Sequence, residues 1–209
     1  MYNTRIKFAL ERFIKEDYFL HISNLYHLWE EQDSGRSDLT LKISNENLCI
    51  CNFDGPHKGK CTFLRTEGKY GMQKRVDHIL FEKTENGWRL HLIEMKSNVG
   101  YKTWLEAIRP KVRTSYFTAL AIADFLGIHF YETIAYTTYE NDKFAKGNRG
   151  ENPRALVPLL GYAARDPYKD EWNQDKIILN VGEDLTFQHK RVLMTRNAIT
   201  NILEGELII

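Results

Sequence analysis

Two carboxylates and one lysine, Asp77, Glu94 and Lys96, have the residue types of a metal-dependent phosphoryl-transfer site. Glu94, Met95 and Lys96 close the apolar run WRLHLIEM, where a strand would ordinarily end in turn residues. Mg²⁺ prefers oxygen ligands, so two carboxylates and a main-chain carbonyl suffice to anchor it. The metal would activate a water and stabilise phosphoryl charge, and a neighbouring lysine can orient that water. The sequence thus predicts a magnesium or manganese site.

A predicted β-hairpin would bring these side chains together. The runs VDHILFE (76–82) and WRLHLIEM (88–95) flank KTENG, and Asn-Gly between two such runs is a strong hairpin signal. With Asn86-Gly87 at the turn centre, Asp77 faces Lys96. Because side chains alternate between the two faces of a strand, Asp77, Glu94 and Lys96 then share one face.

The Glu-x-Lys pattern alone has little specificity, since about one copy is expected by chance in a chain of this composition. A second copy, Glu67 and Lys69 with Asp54 upstream, lies among glycines without a strand around it. We therefore favour Glu94 and Lys96. The competing interpretation of these residues is a solvated surface cluster with an ordinary salt bridge.

The remaining pattern predicts helices and strands in alternation. Predicted helices cover 4–21 with Thr4 as cap, 24–32 as a second helix or continuation, 110–125 with Gly127 as a stop, and a closing helix within 195–209. Predicted strands beyond the hairpin are 39–44, 47–53, 129–140, 176–182 and 185–194. This order predicts an α/β (α+β) fold with a mixed central sheet flanked by helices. We expect one domain over 1–209, with a core of about 40–139, N-terminal helices within 4–32 and an extension over 140–209.

The stretch 74–139 resembles the core of the PD-(D/E)XK nuclease superfamily. The resemblance rests on Asp77 in KRVDHILFE and on Glu94-Met95-Lys96 in LHLIEMKS, followed by a helix and a strand. It implies a restriction-endonuclease-like fold and metal-dependent phosphodiester hydrolysis. Asp77, Glu94 and the Met95 carbonyl would bind Mg²⁺ or Mn²⁺, and Lys96 would assist the water or the transition state. The helix after Lys96 carries no Gln-Tyr pair, which separates this chain from the RecB-like branch.

Further residues follow from this hypothesis. An upstream acid completes the metal site in many members. Glu30 or Glu31 are the candidates here and Glu11 is a weaker one, while the competing interpretation of Glu30 and Glu31 is a solvated helix end. Basic residues near the hairpin would contact a nucleic-acid backbone; these are Lys74, Arg75, Lys102, Lys111 and Arg113. Their competing interpretation is a solvated face.

Cysteines form a separate group. Cys49, Cys51 and Cys61 are an odd number and a poor disulfide framework. With His57 they allow a zinc site, but the spacing differs from common zinc knuckles. We interpret Cys49 and Cys51 as small apolar residues on one strand face.

Composition sets the remaining expectations. Lys plus Arg number 29 and Asp plus Glu 28, a balance that neither favours nor excludes nucleic acid. No apolar run approaches a membrane span and no signal-peptide core is evident, so we expect a cytoplasmic protein. The first hypothesis is a nuclease, with DNA favoured over RNA, acting in bacterial (antiviral) defence or repair, as a homodimer or with a partner protein. The second is a non-catalytic nucleic-acid-binding or assembly subunit.

Overall fold

The computed structural model describes residues 2–32, 35–55, 64–65, 71–144 and 167–209. Its helices are α1 (Thr4–Arg12), α2 (Tyr101–Thr103), α3 (Arg109–Leu126) and α4 (Pro167–Asn173), and a π-helical segment, Trp104–Ile108, joins α2 to α3. The strands are β1 (Asn24–Gln32), β2 (Gly35–Ile43), β3 (Asn47–Ile50), β4 (His78–Thr84), β5 (Gly87–Glu94), β6 (Asn98–Val99), β7 (Phe130–Tyr139), β8 (Asn141–Asp142), β9 (Lys176–Asn180), β10 (Asp184–Leu193), β11 (Thr195–Arg196) and β12 (Leu203–Ile208). Among the helices of these ranges, none has the length and apolar character needed to cross a membrane.

The strands form a mixed central sheet, as predicted. A six-stranded sheet has the order β3-β4-β5-β7-β10-β9, with β7 parallel to both β5 and β10 and the other pairs antiparallel. A four-stranded sheet has the order β1-β2-β12-β11, and β6 pairs with β8. The α/β class is therefore confirmed. The segment after residue 139 contributes β9 and β10 to the central sheet.

Apolar cores cover both faces of the β4–β5 hairpin. On one face Ile79 and Leu92 pack in a cluster with Val112 and Ala119 of α3. On the other face Leu80 and its neighbours pack against β2 of the four-stranded sheet. A hairpin buried on both faces explains why its two runs are so apolar. Any charge on it must then be paired or functional.

The hairpin register differs by two residues from the predicted one. Thr84 pairs with Gly87, so Glu85 and Asn86 are the central turn residues. The Thr84 hydroxyl accepts the Asn86 N–H at 3.3 Å, and Gly87, with φ of +124°, takes the position after the turn. A shift of two leaves every side chain on its predicted face. Asp77 consequently comes opposite Glu94 instead of Lys96, by continuing the register one residue beyond β4.

Both ends of the chain contain strands where helices were predicted. The N-terminal helix ends at Arg12 and is capped by Asn3, not Thr4. Residues 24–32 form β1, paired along their whole length with β2. The predicted closing helix is wrong as well, because β11 and β12 pair there and β12 runs parallel to β2.

The other predicted elements are confirmed. The helix that was predicted to begin at Pro110 is α3, and Gly127 ends it in the left-handed conformation at φ +69°. The strand predicted within 129–140 is β7, and the late strand pair is β9 with β10. The Glu67-Lys69 copy, His57 and Cys61 lie outside the described residues.

Candidate functional site

Asp77 and Glu94 meet at the open end of the hairpin. Asp77 directly precedes β4 and Glu94 is the last residue of β5. Both side chains are fully buried. The start of β4 lies beside the end of β5 in this antiparallel pair, and Asp77 and Glu94 point to the same face of it. The two carboxylates therefore converge.

Two lysines neutralise this pair. The Lys111 ammonium lies 3.0 Å from Asp77 Oδ1 and 2.9 Å from Glu94 Oε1. The Lys96 ammonium lies 2.6 Å from Glu94 Oε1 and donates to the Met95 carbonyl at 2.9 Å. Asp77 Oδ2 accepts the Met95 N–H at 2.6 Å. The Lys111 ammonium thus takes the position of a cation between both carboxylates.

Backbone contacts hold these residues rigidly in place. The Val76 N–H donates to Ser115 Oγ of α3 at 2.8 Å, which ties the entry of β4 to the helix that carries Lys111. The Phe53 N–H donates to the Asp77 carbonyl at 2.7 Å. Thr138 of β7 accepts the Lys96 N–H at 2.8 Å and donates to the Lys96 carbonyl at 3.1 Å.

Burial and neighbouring charges shift the pKa of Glu94. Burial and then the charge of Asp77 raise the pKa of Glu94 to about 7, against the opposing effect of Lys96 and Lys111. Burial by itself lowers the pKa of Lys111, but the charges of Glu94 and Asp77 raise it overall. Glu94 Oε2 is buried and has no hydrogen-bond partner among the described residues. A buried carboxylate oxygen without a hydrogen-bond partner is energetically costly and calls for an explanation.

The structure distinguishes the two upstream acids. Burial first, and then Asp77 and Asp54, raise the pKa of Glu30, while Lys96 and Lys111 lower it. Glu30 therefore lies within electrostatic reach of the hairpin end. Glu31 points to the opposite side of β1, is exposed and lies 3.6 Å from Arg36.

A further acid, Asp54, joins the group from the turn after β3. Burial and then the charge of Asp77 raise the pKa of Asp54 overall, against the opposing effect of Lys111. The group accordingly contains Asp77, Glu94, Glu30 and Asp54 against the ammonium groups of Lys96 and Lys111. The carboxyls at this end of the hairpin thus outnumber the ammonium groups by two.

The donor set fits a hard divalent cation in its chemistry. All available ligand atoms are oxygens, which suits Mg²⁺ or Mn²⁺. Within the described ranges, however, no three His, Cys, Asp or Glu side chains are grouped closely enough to hold an ion. Metal binding would therefore involve Asp77, Glu94 and the Met95 carbonyl, and would require Lys111 to move from between the carboxylates.

The predicted phosphate-contacting residues have different environments. Lys102 is exposed, and Lys74 is exposed with its ammonium 2.9 Å from the Glu106 carbonyl. Arg113 is half-buried and donates to the Gly71 carbonyl at 3.3 Å. Arg75 is only 5% exposed and donates to the Gly55 carbonyl, so it holds the turn after β3. Lys111 lies inside the carboxylate site.

A second polar network lies on the opposite face of the same hairpin. Glu82 accepts hydrogen bonds from Asn45 at 2.5 Å, His91 at 2.9 Å and Arg89 at 3.1 Å. His91 contacts the Tyr136 hydroxyl at 3.0 Å. Burial raises the pKa of Glu82, but the bonds from His91 and Asn45 and the charge of Arg89 lower it to about 2. Every carboxylate oxygen of Glu82 is satisfied.

Three site residues were not predicted in their observed roles. Lys111 was predicted only as a phosphate contact, Asp54 was discounted, and Thr138 was not considered. Lys111 carries a weak signal, since it follows Pro110 in the first turn of the helix after the motif. Asp54 and Thr138 come close only through tertiary packing.

Comparisons with models of protein families, with curated proteins and with solved structures find no match for this chain.

Proposed function

We propose that the protein is a metal-dependent nuclease that hydrolyses phosphodiester bonds, with DNA as the favoured substrate. The observation that carries the proposal is the convergence of two fully buried carboxylates, Asp77 and Glu94, on one cation position. Like charges seldom converge in a protein interior unless a cation joins them. The resemblance of this hairpin to the PD-(D/E)XK core supports the same interpretation.

Asp77, Glu94 and the Met95 carbonyl would hold Mg²⁺ or Mn²⁺, with Glu30 as the favoured additional acid. When bound, the ion supplies a water of lowered pKa and charge stabilisation at the phosphoryl oxygens. Lys96, held by Thr138 through its backbone, keeps its ammonium beside Glu94. From there Lys96 can orient the attacking water or neutralise charge that develops on the phosphate.

Lys111 has one role before a metal binds and another after it. Before the metal arrives, its ammonium balances Asp77 and Glu94. Once displaced, its long side chain can reach toward a phosphate, which reconciles the observed position with the predicted contact to nucleic acid. Lys74, Lys102 and Arg113 would extend that contact along the backbone. A context in bacterial defence or repair belongs to the same proposal and rests on the resemblance alone.

A cleavage panel tests the proposal. Supercoiled plasmid, linear duplex, single-stranded DNA and RNA are incubated with the protein in Mg²⁺, in Mn²⁺ and in EDTA. We expect metal-dependent cutting that Lys96→Ala abolishes. Lys42→Ala is the matched control, because Lys42 pairs with Glu206 on the other sheet at 2.5 Å. Cutting in EDTA, or equal loss in both variants, would overturn the proposal.

The second candidate is a non-catalytic nucleic-acid-binding or assembly subunit. The position of Lys111 favours it, because the ammonium groups of Lys111 and Lys96 together balance Asp77 and Glu94 without any metal. A titration with Mn²⁺ separates the two candidates. Saturable binding that Asp77→Asn removes favours the nuclease, whereas nucleic-acid binding without metal uptake or turnover favours the subunit.

A further inference from the structure

Two cysteine thiols touch each other at the end of β3, the strand that pairs with β4. Cys49 lies in β3 and is fully buried, and Cys51 follows the end of β3 and is half-buried. Their sulfur atoms are 3.6 Å apart. The predicted interpretation of both as small apolar residues describes Cys49 well. It does not account for a thiol pair in direct contact with one member open to solvent.

The local backbone brings the two sulfurs together. Residues two apart on a strand share a face, with Cα atoms about 6.6 Å apart, at the upper end of the range for disulfides. The strand ends at Ile50, and Asn52 has φ of +49°, so the chain turns at Cys51. Bond formation requires the sulfurs to approach from contact distance to about 2.0 Å.

The environment favours reaction at Cys51. A hydrogen bond with Cys49 lowers the pKa of Cys51, burial opposes this, and His78 lowers it further, to about 5. A thiolate is the form that attacks a disulfide. Cys51 is also the more accessible sulfur of the pair.

We propose that Cys49 and Cys51 form a reversible intrachain disulfide by exchange with an oxidised small-molecule disulfide, such as glutathione disulfide. The Cys51 thiolate attacks one sulfur of the small molecule, forms a mixed disulfide and releases one thiolate. Cys49 then attacks the Cys51 sulfur, and its proton passes to the departing glutathione thiolate. This forms the Cys49–Cys51 bond and releases the second thiol, so the two cysteines lose two electrons and the small molecule gains them.

Such a bond acts as a switch and not as a structural staple. It closes a loop of three residues, which constrains the unfolded chain very little. A strained, short-loop disulfide is easily reduced. The turn it bends is also the one that supports the site, since the Asn52 N–H donates to His78 at 3.3 Å and the Phe53 N–H donates to the Asp77 carbonyl. Any effect of oxidation on cleavage rests on the proposed function, but the thiol chemistry does not.

The test equilibrates the folded wild-type chain with reduced and oxidised glutathione at several ratios, alkylates free thiols and digests with trypsin. The peptide 43–58 contains Cys49 and Cys51, whereas Cys61 falls in a separate peptide, 61–65. We expect peptide 43–58 to become two hydrogens lighter and unalkylated in oxidising mixtures. Excess thiol should reverse this change.

Two variants keep the proposal falsifiable. Cys49→Ser should accumulate glutathione on Cys51, because the resolving thiol is missing. Cys51→Ser should leave Cys49 alkylated only after unfolding, because Cys49 is buried. Peptide 43–58 with both thiols free at every ratio, a stable glutathione adduct on Cys51 in the wild type, or a bond to the Cys61 peptide would overturn the proposal. These outcomes are independent of whether the protein cleaves nucleic acid.

Discussion

Each face of the β4–β5 hairpin carries a buried glutamate, and the two glutamates have opposite environments. On one face Glu82 has hydrogen-bond partners for both oxygens, and its pKa is lowered to about 2. On the other face one oxygen of Glu94 has no hydrogen-bond partner in the part of the chain that the structure describes, and the pKa of Glu94 is raised to about 7. Both carboxyls are buried in the same two strands. A satisfied buried carboxylate stabilises the fold, whereas a crowded and partly unsatisfied one is a candidate for ligand binding.

The largest effect should come from breaking the satisfied network. Glu82→Ala leaves Arg89, Asn45 and His91 without their common acceptor, so we expect a loss of about 3–5 kcal/mol in the free energy of unfolding. Urea denaturation measures it. Glu85→Ala, in the exposed turn of the same hairpin, should change stability by less than about 0.5 kcal/mol. Equal effects of the two substitutions would contradict the structural role of Glu82.

Acid should weaken the same network by protonating Glu82. The folded-state pKa of Glu82 lies below its ordinary 4.5, so its contribution is fully present above pH 4.5 and is lost as the pH falls toward 2. The loss amounts to about 3 kcal/mol. Between pH 6 and 2, the free energy of unfolding should fall less with pH for Glu82→Gln than for the wild type, as measured by urea denaturation at each pH. An unchanged acid slope would argue against an ionised Glu82.

The opposite face should respond to pH through metal affinity. Glu94, with a pKa of about 7, must release a proton to bind a cation. Mn²⁺ affinity should therefore rise about tenfold per pH unit below pH 7 and level off above it. Calorimetry in buffers of different ionisation enthalpy measures both the affinity and the proton release. A pH-independent affinity would contradict this account of Glu94.

The smallest effect separates the two upstream acids. Glu30→Gln should weaken Mn²⁺ binding by about tenfold or less, since Glu30 is coupled through its charge to Asp77, Lys96 and Lys111. Glu31→Gln, on the other side of β1, should leave the affinity unchanged. The reverse order would make Glu31, and not Glu30, the additional acid of the site.

The sequence predicted the hairpin and its faces because alternation and the Asn-Gly turn are local signals. Its register was wrong by two residues, since the Thr84 hydroxyl sets the turn and no pattern reveals that bond. Residues 24–32 were predicted as a helix or a continuation of one, and the spacing of Leu25, Leu28 and Trp29 does suit a helical period, yet Leu25 and Trp29 remain exposed on an edge strand. β12 is ambiguous for a related reason, as Leu203 and Leu207 suit either period.

For the candidate site, the sequence predicted the residues contributed by the hairpin and not those that surround it. Asp77, Glu94 and Lys96 follow from local pattern and resemblance. Lys111 comes from a helix 34 residues after Asp77, and Thr138 from a parallel strand. Only long-range packing brings these side chains to the hairpin end, and one sequence does not encode that proximity in a readable pattern.

The most direct test of the central claim compares Glu94→Gln with Glu82→Gln for both metal-dependent cleavage and stability. We expect Glu94→Gln to lose at least about a hundredfold in cleavage, with a change of less than about 1 kcal/mol in the free energy of unfolding. Glu82→Gln should be destabilised and yet cleave normally per folded molecule. Normal cleavage by Glu94→Gln, or an equal loss of cleavage in both variants, would contradict the division of the hairpin into a functional and a structural face.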